Sequence, residues 1–145
     1  MEERSGGDVL VRLAVLADLD FVRRDGFIPQ EVVARKIAQS EVFVAETGGK
    51  PVGYLRLEYL WSLVPYVALI WVKLGCRRQG VGRAMLAFVE EFLRQNGHDV
   101  VYSSSQVNEP ASQAWHRHVG FEECGVINGI NEGGISEIFF RKLLS

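Results

Sequence analysis

Val72-Lys73-Leu74-Gly75-Cys76-Arg77-Arg78-Gln79-Gly80-Val81-Gly82-Arg83 is the stretch that decides the reading of this chain. An apolar run, residues 66–72, leads into it, and an amphipathic helical pattern leaves it at Val81. A strand, a glycine turn and a helix start together make an anion site. The first amides of a helix lack intrahelical acceptors, and the helix dipole adds partial positive charge there. Gly80 and Gly82 leave no side chain between those amides and a guest. Arg77, Arg78 and Arg83 add full charge. The expected guest is a phosphate or a diphosphate.

The loop is not of the nucleoside-triphosphate kind, because it lacks G-x-x-x-x-G-K-[ST]. It also lacks the third glycine of G-x-G-x-x-G, since Met85 stands there. No acidic residue follows at the ribose-binding distance, where the chain reads Tyr102-Ser103-Ser104-Ser105. A nicotinamide site is therefore disfavoured. What remains is Arg77-x-x-Gly80-x-Gly82 after a strand ending at Val72. This resembles the pyrophosphate-binding motif of the GNAT superfamily of acetyl-CoA-dependent N-acetyltransferases. A second segment resembles the same family: Asn108-Glu109-Pro110-Ala111-Ser112-Gln113-Ala114-Trp115-His116-Arg117-His118-Val119-Gly120-Phe121. It is similar to the family's run from the end of the fifth strand, through a short helix, to a Gly-Phe opening the sixth. The resemblance covers essentially the whole chain.

The composition is compatible with that family. At 145 residues the chain is read as one domain, 1–145, with 1–7 a loose terminus. A hydrophobic content of 48% supplies a core. A net charge of −2 and a pI near 5.9 argue against a general nucleic-acid or membrane-surface binder. Cys76 and Cys124 make neither a disulfide framework nor, with the three histidines, a metal site. A reducing cytoplasm is expected, with no signal-peptide core at the start. The apolar run 60–72 is too short to span a bilayer and contains Pro65.

Patterning sets the expected order: strand, two helices, three strands, helix, strand, helix, two strands. Val9–Leu13 alternates as a first strand, 17–24 is a weak helix, and Pro29 is placed to start a helix over 30–39. Strands 42–46 and 51–60 flank the hairpin signal Thr47-Gly48-Gly49-Lys50. Leu55, Leu57 and Tyr59 are expected on one face, with Tyr54, Arg56 and Glu58 on the other. Residues 66–72 read as a central strand. The helix 81–96 is expected to bury Val81, Met85, Phe88, Val89 and Phe92. A strand over 100–104, the helix Pro110–His118 and strands 121–128 and 135–143 complete the chain. The resemblance implies an α/β (α+β) GNAT fold. Its sheet would be mixed and mostly antiparallel, with six to seven strands and about four helices, splayed between the fourth and fifth strands.

The resemblance also implies the chemistry. Acetyl passes directly from acetyl-CoA to a primary amine, leaving CoA. Arg77, Arg78, Gln79, Gly80, Val81, Gly82 and Arg83 would hold the diphosphate. The backbone near Trp71 and Val72 would donate to the thioester carbonyl. Asn108, Ser112, Trp115 and His116 would line the pantetheine arm. His116 occupies the position beside the thioester sulfur, where many relatives carry Tyr, and is the candidate acid for the leaving thiolate. Ser112, one helical turn earlier, would orient it. The alternative is an exposed histidine near a helix C-terminus.

A base is harder to find. The fourth strand has no carboxylate, and Ser103 and Ser104 stand where some relatives carry Glu. Glu58 is the leading candidate, against a reading as a solvated or ion-paired strand residue. Tyr54 and Tyr66 read as core or pocket wall, and Cys124 as a buried strand residue rather than a nucleophile. The acceptor, a small-molecule or peptide amine, would be shaped by residues 21–30 and 128–136. These contain Arg23, Arg24, Asp25, Phe27, Asn128, Asn131 and Glu132. A monomer or homodimer is expected. The competing functions are a non-catalytic acyl-CoA sensor, a nucleotide-binding module, and a serine hydrolase, for which no G-x-S-x-G elbow exists.

Overall fold

The computed structural model describes residues 8–144. The expectation of a loose terminus over 1–7 lies outside them. Seven strands occur: β1 (Val9–Leu13), β2 (Val42–Thr47), β3 (Lys50–Leu60), β4 (Val64–Val72), β5 (Val100–Gln106), β6 (Glu122–Ile127) and β7 (Glu137–Leu143). The α-helices are α1 (Gln30–Ala38), α2 (Val81–Gln95) and α3 (Pro110–His118). The sheet order is β1-β2-β3-β4-β5-β7-β6. The pairs β1–β2, β2–β3, β5–β7 and β6–β7 are antiparallel, and β4–β5 is parallel. The expected mixed, mostly antiparallel sheet is thus present. β4 and β5 pair in parallel at Tyr66↔Tyr102.

Two compact units share the chain, one of residues 8–57 and 69–92, the other of 58–68 and 93–144. In the first, Gly48 and Gly49 have φ of 57° and 78°, the left-handed pair that a two-residue hairpin turn requires. Its core gathers Val22, Val33, Val42, Val44 and Tyr54, with Phe21, Leu69 and Trp71 against them. Phe21, Tyr54 and Trp71 form an aromatic trio with centroids 5.2–5.8 Å apart. Fully burying one large apolar side chain contributes about 1.5–3 kcal/mol, so this cluster anchors the unit. Gly53 lets α2 lie close: a Cβ there would sit 2.9 Å from the Trp71 carbonyl and 3.2 Å from Val81 Cγ1.

Two helical expectations change. Residues 17–24 form no α-helix but two 3-10 turns, Leu16–Asp18 and Phe21–Arg23. The Arg12 guanidinium reaches Asp18 at 2.7 Å and Glu46 at 2.8 Å and pins the first turn to the strands. On α2, Leu86 is buried, whereas Phe88 is 38% exposed. Phe88 sits at the rim and touches Phe43 edge-on at 6.0 Å.

In the second unit β5 alternates strictly. Val101, Ser103 and Ser105 are buried, while Tyr102, Ser104 and Gln106 are half-buried. Residues 110–118 fold as the expected helix, with Pro110 in the first turn, where its missing N–H costs nothing. Gln113 Nε2 donates to the Gln106 and Val107 carbonyls at 3.3 and 3.0 Å, which fixes α3 to the end of β5. β6 ends the sheet order and is exposed along its length. This corrects the reading of Cys124. It is exposed on β6, where a register shift between Glu123 and Gly125 takes it out of the ladder with β7.

Candidate active site

After β4 a 3-10 turn, Leu74–Cys76, carries the chain into the arginine–glycine loop. Arg77 Nε donates to the Val72 carbonyl at 3.0 Å, so Arg77 braces the loop against the strand end. Arg78 and Gly80 have φ of 65° and 80°, left-handed steps that fold the loop tightly. The Ala84 amide donates to the Gly80 carbonyl at 2.9 Å, closing the first turn of α2. The amides of Val81, Gly82 and Arg83 therefore open the helix without intrahelical acceptors. A Cβ at Gly80 would meet no atom within 4 Å. Arg78, Gln79 and Arg83 are exposed, and neither arginine has an ion pair among the described residues. Free amides, open space and two unpaired guanidinium groups fit a diphosphate. Trp71 and Val72 are half-buried at the strand end feeding this loop.

His116 is the only buried residue of α3, at 5% exposure, which removes the surface reading. Its Nδ1 lies 2.8 Å from the Ser112 carbonyl and its Nε2 2.7 Å from Ser103 Oγ. A carbonyl only accepts, so Nδ1 carries the proton and the neutral ring accepts from the Ser103 hydroxyl. Burial pushes the ring pKa down, and the Ser112 carbonyl and the charge of Glu137 oppose it. The ring stacks on Phe140 at 4.6 Å and meets Phe121 edge-on at 5.4 Å. Ser112 does orient His116, through its carbonyl and not its hydroxyl. Trp115 touches the ring edge-on, and Asn108 is exposed in the turn after β5. Both ring nitrogens are engaged within the fold, so the ring has no free N–H of its own.

Opposite faces of β5 carry different chemistry. Where Ser103 meets His116, Ser104 Oγ donates to Glu137 Oε2 at 2.5 Å and lies 2.6 Å from the Tyr66 hydroxyl. Asn131 Nδ2 holds the other Glu137 oxygen at 2.8 Å. Tyr66 stacks on Phe139 at 5.8 Å. Burial raises the Tyr66 phenol pKa; the Ser104 hydrogen bond lowers it, and the charges of Glu137 and Glu58 add to the rise. Glu58 itself is exposed on β3. An apolar groove of about 530 Å³ opens in the same unit, walled by Trp61, Val64, Tyr102, Cys124, Ile127 and Phe139.

Ser103, Ser104, Tyr66 and Glu137 were not singled out together by sequence reasoning. Three consecutive serines in a strand are the available signal, because alternate positions must face opposite sides. Asp25, expected near the acceptor, is instead consumed by the fold. Arg56 grips both its oxygens at 2.8 and 2.7 Å, and the Tyr54 hydroxyl donates to it at 2.5 Å. Burial would raise its pKa, but Arg56, Tyr54 and the Phe27 amide outweigh that and hold it at about 2. Phe27, in contrast, is exposed.

Comparison with known proteins follows the same lines. The model of the acetyltransferase (GNAT) family matches residues 12–121. Streptothricin acetyltransferase of Streptomyces lavendulae is 31% identical over 103 residues, 69% of this chain and 54% of that protein. Aminoglycoside N(6')-acetyltransferase type 1 of Stenotrophomonas maltophilia is 34% identical over 106 residues, 66% of this chain and 69% of that protein. The chain thus spans about half the length of the streptothricin relative. Among solved structures, yncA of Salmonella typhimurium with its cofactor acetyl-CoA shares the fold, with a TM-score of 0.78 at 18% identity. That match covers 94% of both chains.

Proposed function

This chain belongs to the acetyltransferase (GNAT) family, and from that premise we propose that it moves acetyl from acetyl-CoA directly to a primary amine, as one catalytic domain over residues 1–145. The observation that carries the proposal is the loop at the start of α2, with its open Gly80, free amides and unpaired Arg78 and Arg83. Gln79, Gly80, Val81 and Gly82 present backbone to the diphosphate; Arg78 and Arg83 add charge, and Arg77 holds the loop in shape. Backbone N–H groups near Trp71 and Val72 polarise the thioester carbonyl. Asn108, Ser112, Trp115 and His116 line the pantetheine arm. The acceptor is a small-molecule or peptide amine. Two of the relatives are named for small antibiotics, streptothricin and aminoglycosides, which favours the former. No helix among the described residues is long and apolar enough to cross a membrane. A cytoplasmic monomer or homodimer, binding neither nucleic acid nor membrane, completes the reading.

His116 is kept as the acid for the leaving thiolate in its protonated form: Nε2–H then donates to Ser103 Oγ while the Ser103 hydroxyl proton passes to sulfur, which returns the ring to its neutral state. His116→Phe keeps the stacking on Phe140 and removes both hydrogen bonds. Acetyl-CoA binding should stay within a few fold of wild type, and turnover should fall about tenfold to a hundredfold, at or below the usual range for losing one acid. Unchanged turnover across the pH range would leave His116 as a wall of the cofactor site.

Acetyl-CoA or CoA should raise the melting temperature in a dose-dependent way, because each binds the folded state alone. ATP and NADH should do much less. Equal shifts from all of them would sink the donor assignment. Thiol release with an amine present separates the enzyme from a non-catalytic acyl-CoA sensor, which would show the shift without the release.

A further inference from the structure

We propose that Tyr66, Ser104 and Glu137 form the proton relay that takes the proton from the attacking amine, with Tyr66 as the group touching the acceptor. The inference rests on the acetyltransferase reading and supplies the base that the sequence does not reveal. The direction of the chain follows from hydrogen counting. Glu137 as a carboxylate only accepts, and Ser104 has one hydroxyl proton, which it gives to Glu137 at 2.5 Å. At 2.6 Å, the Tyr66 hydroxyl must then donate to Ser104. That leaves a lone pair on the Tyr66 oxygen able to accept from a substrate N–H. Asn131 fixes the far carboxylate oxygen at 2.8 Å, so Glu137 is aimed at Ser104. Tyr66 is half-buried and stacks on Phe139, which with Tyr102 walls the apolar groove, so the relay lies one side chain away from that groove.

The step balances without another reactant. The neutral amine nitrogen attacks the thioester carbon, the C–N bond forms, and the nitrogen becomes positive and strongly acidic. Its proton passes to the Tyr66 oxygen as the Tyr66 proton moves to Ser104 and the Ser104 proton moves to Glu137. The C–S bond breaks with its electron pair on sulfur. The proton stored on Glu137 returns to solvent, and the thiolate gains one, so amide and CoA thiol are the products. Tyr66 is a catalytic residue in this scheme; Ser104 and Glu137 act through it. Other titratable groups in electrostatic contact are Glu58, which acts on Tyr66, and His116, which feels Glu137.

The test uses the full chain with acetyl-CoA and four amines: phenethylamine, lysine, spermidine and a peptide beginning with alanine. Thiol release and acetyl-CoA binding are both measured. For the best amine, Glu137→Gln, Ser104→Ala and Tyr66→Phe should each lower kcat about tenfold to a hundredfold with acetyl-CoA affinity unchanged. In Glu137→Gln the loss should fall on kcat, with the KM for acetyl-CoA left at its wild-type value. Groups that work as one unit are non-additive, so Tyr66→Phe/Glu137→Gln should be no slower than the worse single variant. Wild-type kcat in either Glu137→Gln or Ser104→Ala, or additive losses in the double variant, would overturn the relay and leave the acetyltransferase reading standing. No thiol release by the wild-type protein with any of the four amines would overturn both.

Discussion

Asp25→Ala should cost the fold about 3–5 kcal/mol, the usual penalty for leaving one half of a buried ion pair alone. The Asp25 and Arg56 side chains are 2% and 4% exposed, so no water replaces the lost carboxylate. Arg56 would be left with a carbonyl contact to Val22 at 3.4 Å, and the Tyr54 hydroxyl would lose its acceptor. Against a total stability of about 5–15 kcal/mol, the loss should lower the melting temperature by about 10–16 °C. The wild type carries a matching pH signature. Asp25 titrates at about 2 when folded, below its ordinary value of 3.8, so its contribution is present above about pH 4 and is lost as the pH falls towards 2. Asp25→Ala should flatten the stability curve in that window. Asp25→Leu/Arg56→Met should recover much of the loss, because removing both charges removes the desolvation cost as well. A drop below 1 kcal/mol for Asp25→Ala, measured by urea unfolding, would refute the account.

This ion pair also shows where sequence reading reaches its limit. Asp25 follows two arginines in a loop rich in polar residues, and nothing in that pattern singles out Arg56 as its partner. The pairing exists because Arg56 and Tyr54 share a face of β3 and the 3-10 turns bring residue 25 over it. Elements with local causes were legible. The hairpin at Gly48-Gly49 follows from two left-handed residues, and α3 from Pro110 at its start and Gly120 beyond its end. The anion loop was legible because glycines, arginines and a helix start are contiguous. His116 was found by its place before Gly120-Phe121, but its burial was not, since a helical wheel does not show Ser103 and Phe140 waiting on neighbouring strands. The Tyr66–Ser104–Glu137 chain was hidden for the same reason: its members come from β4, β5 and β7. Sequence placed residues 17–24 in a helix, where the Arg12–Asp18–Glu46 bridges hold tighter turns instead. Cys124 was misplaced because its strand lies at the sheet's edge, which apolar neighbours alone do not disclose.

Gly82→Asp should abolish CoA binding while leaving the fold intact, and this separation is what makes it decisive. Position 82 lies in the first turn of α2, where an acidic side chain interacts favourably with the helix dipole, by about 0.3–1 kcal/mol. Thermal stability without ligand should therefore hold or rise slightly. Toward a diphosphate the same carboxylate is a like charge placed where phosphate oxygens approach, which costs several kcal/mol. Affinity should fall about a hundredfold to a thousandfold, and the CoA-induced rise in melting temperature should vanish. Gly82→Ala separates bulk from charge: a Cβ alone should weaken binding far less if repulsion dominates. Removing Arg78 or Arg83 should cost about 1.5–3 kcal/mol of binding for each charged hydrogen bond lost. These losses belong to a loop that grips its ligand by backbone and charge together. Calorimetry giving wild-type CoA affinity for Gly82→Asp would mean that Arg77–Arg83 is merely the turn between β4 and α2, and the functional reading would lose its foundation.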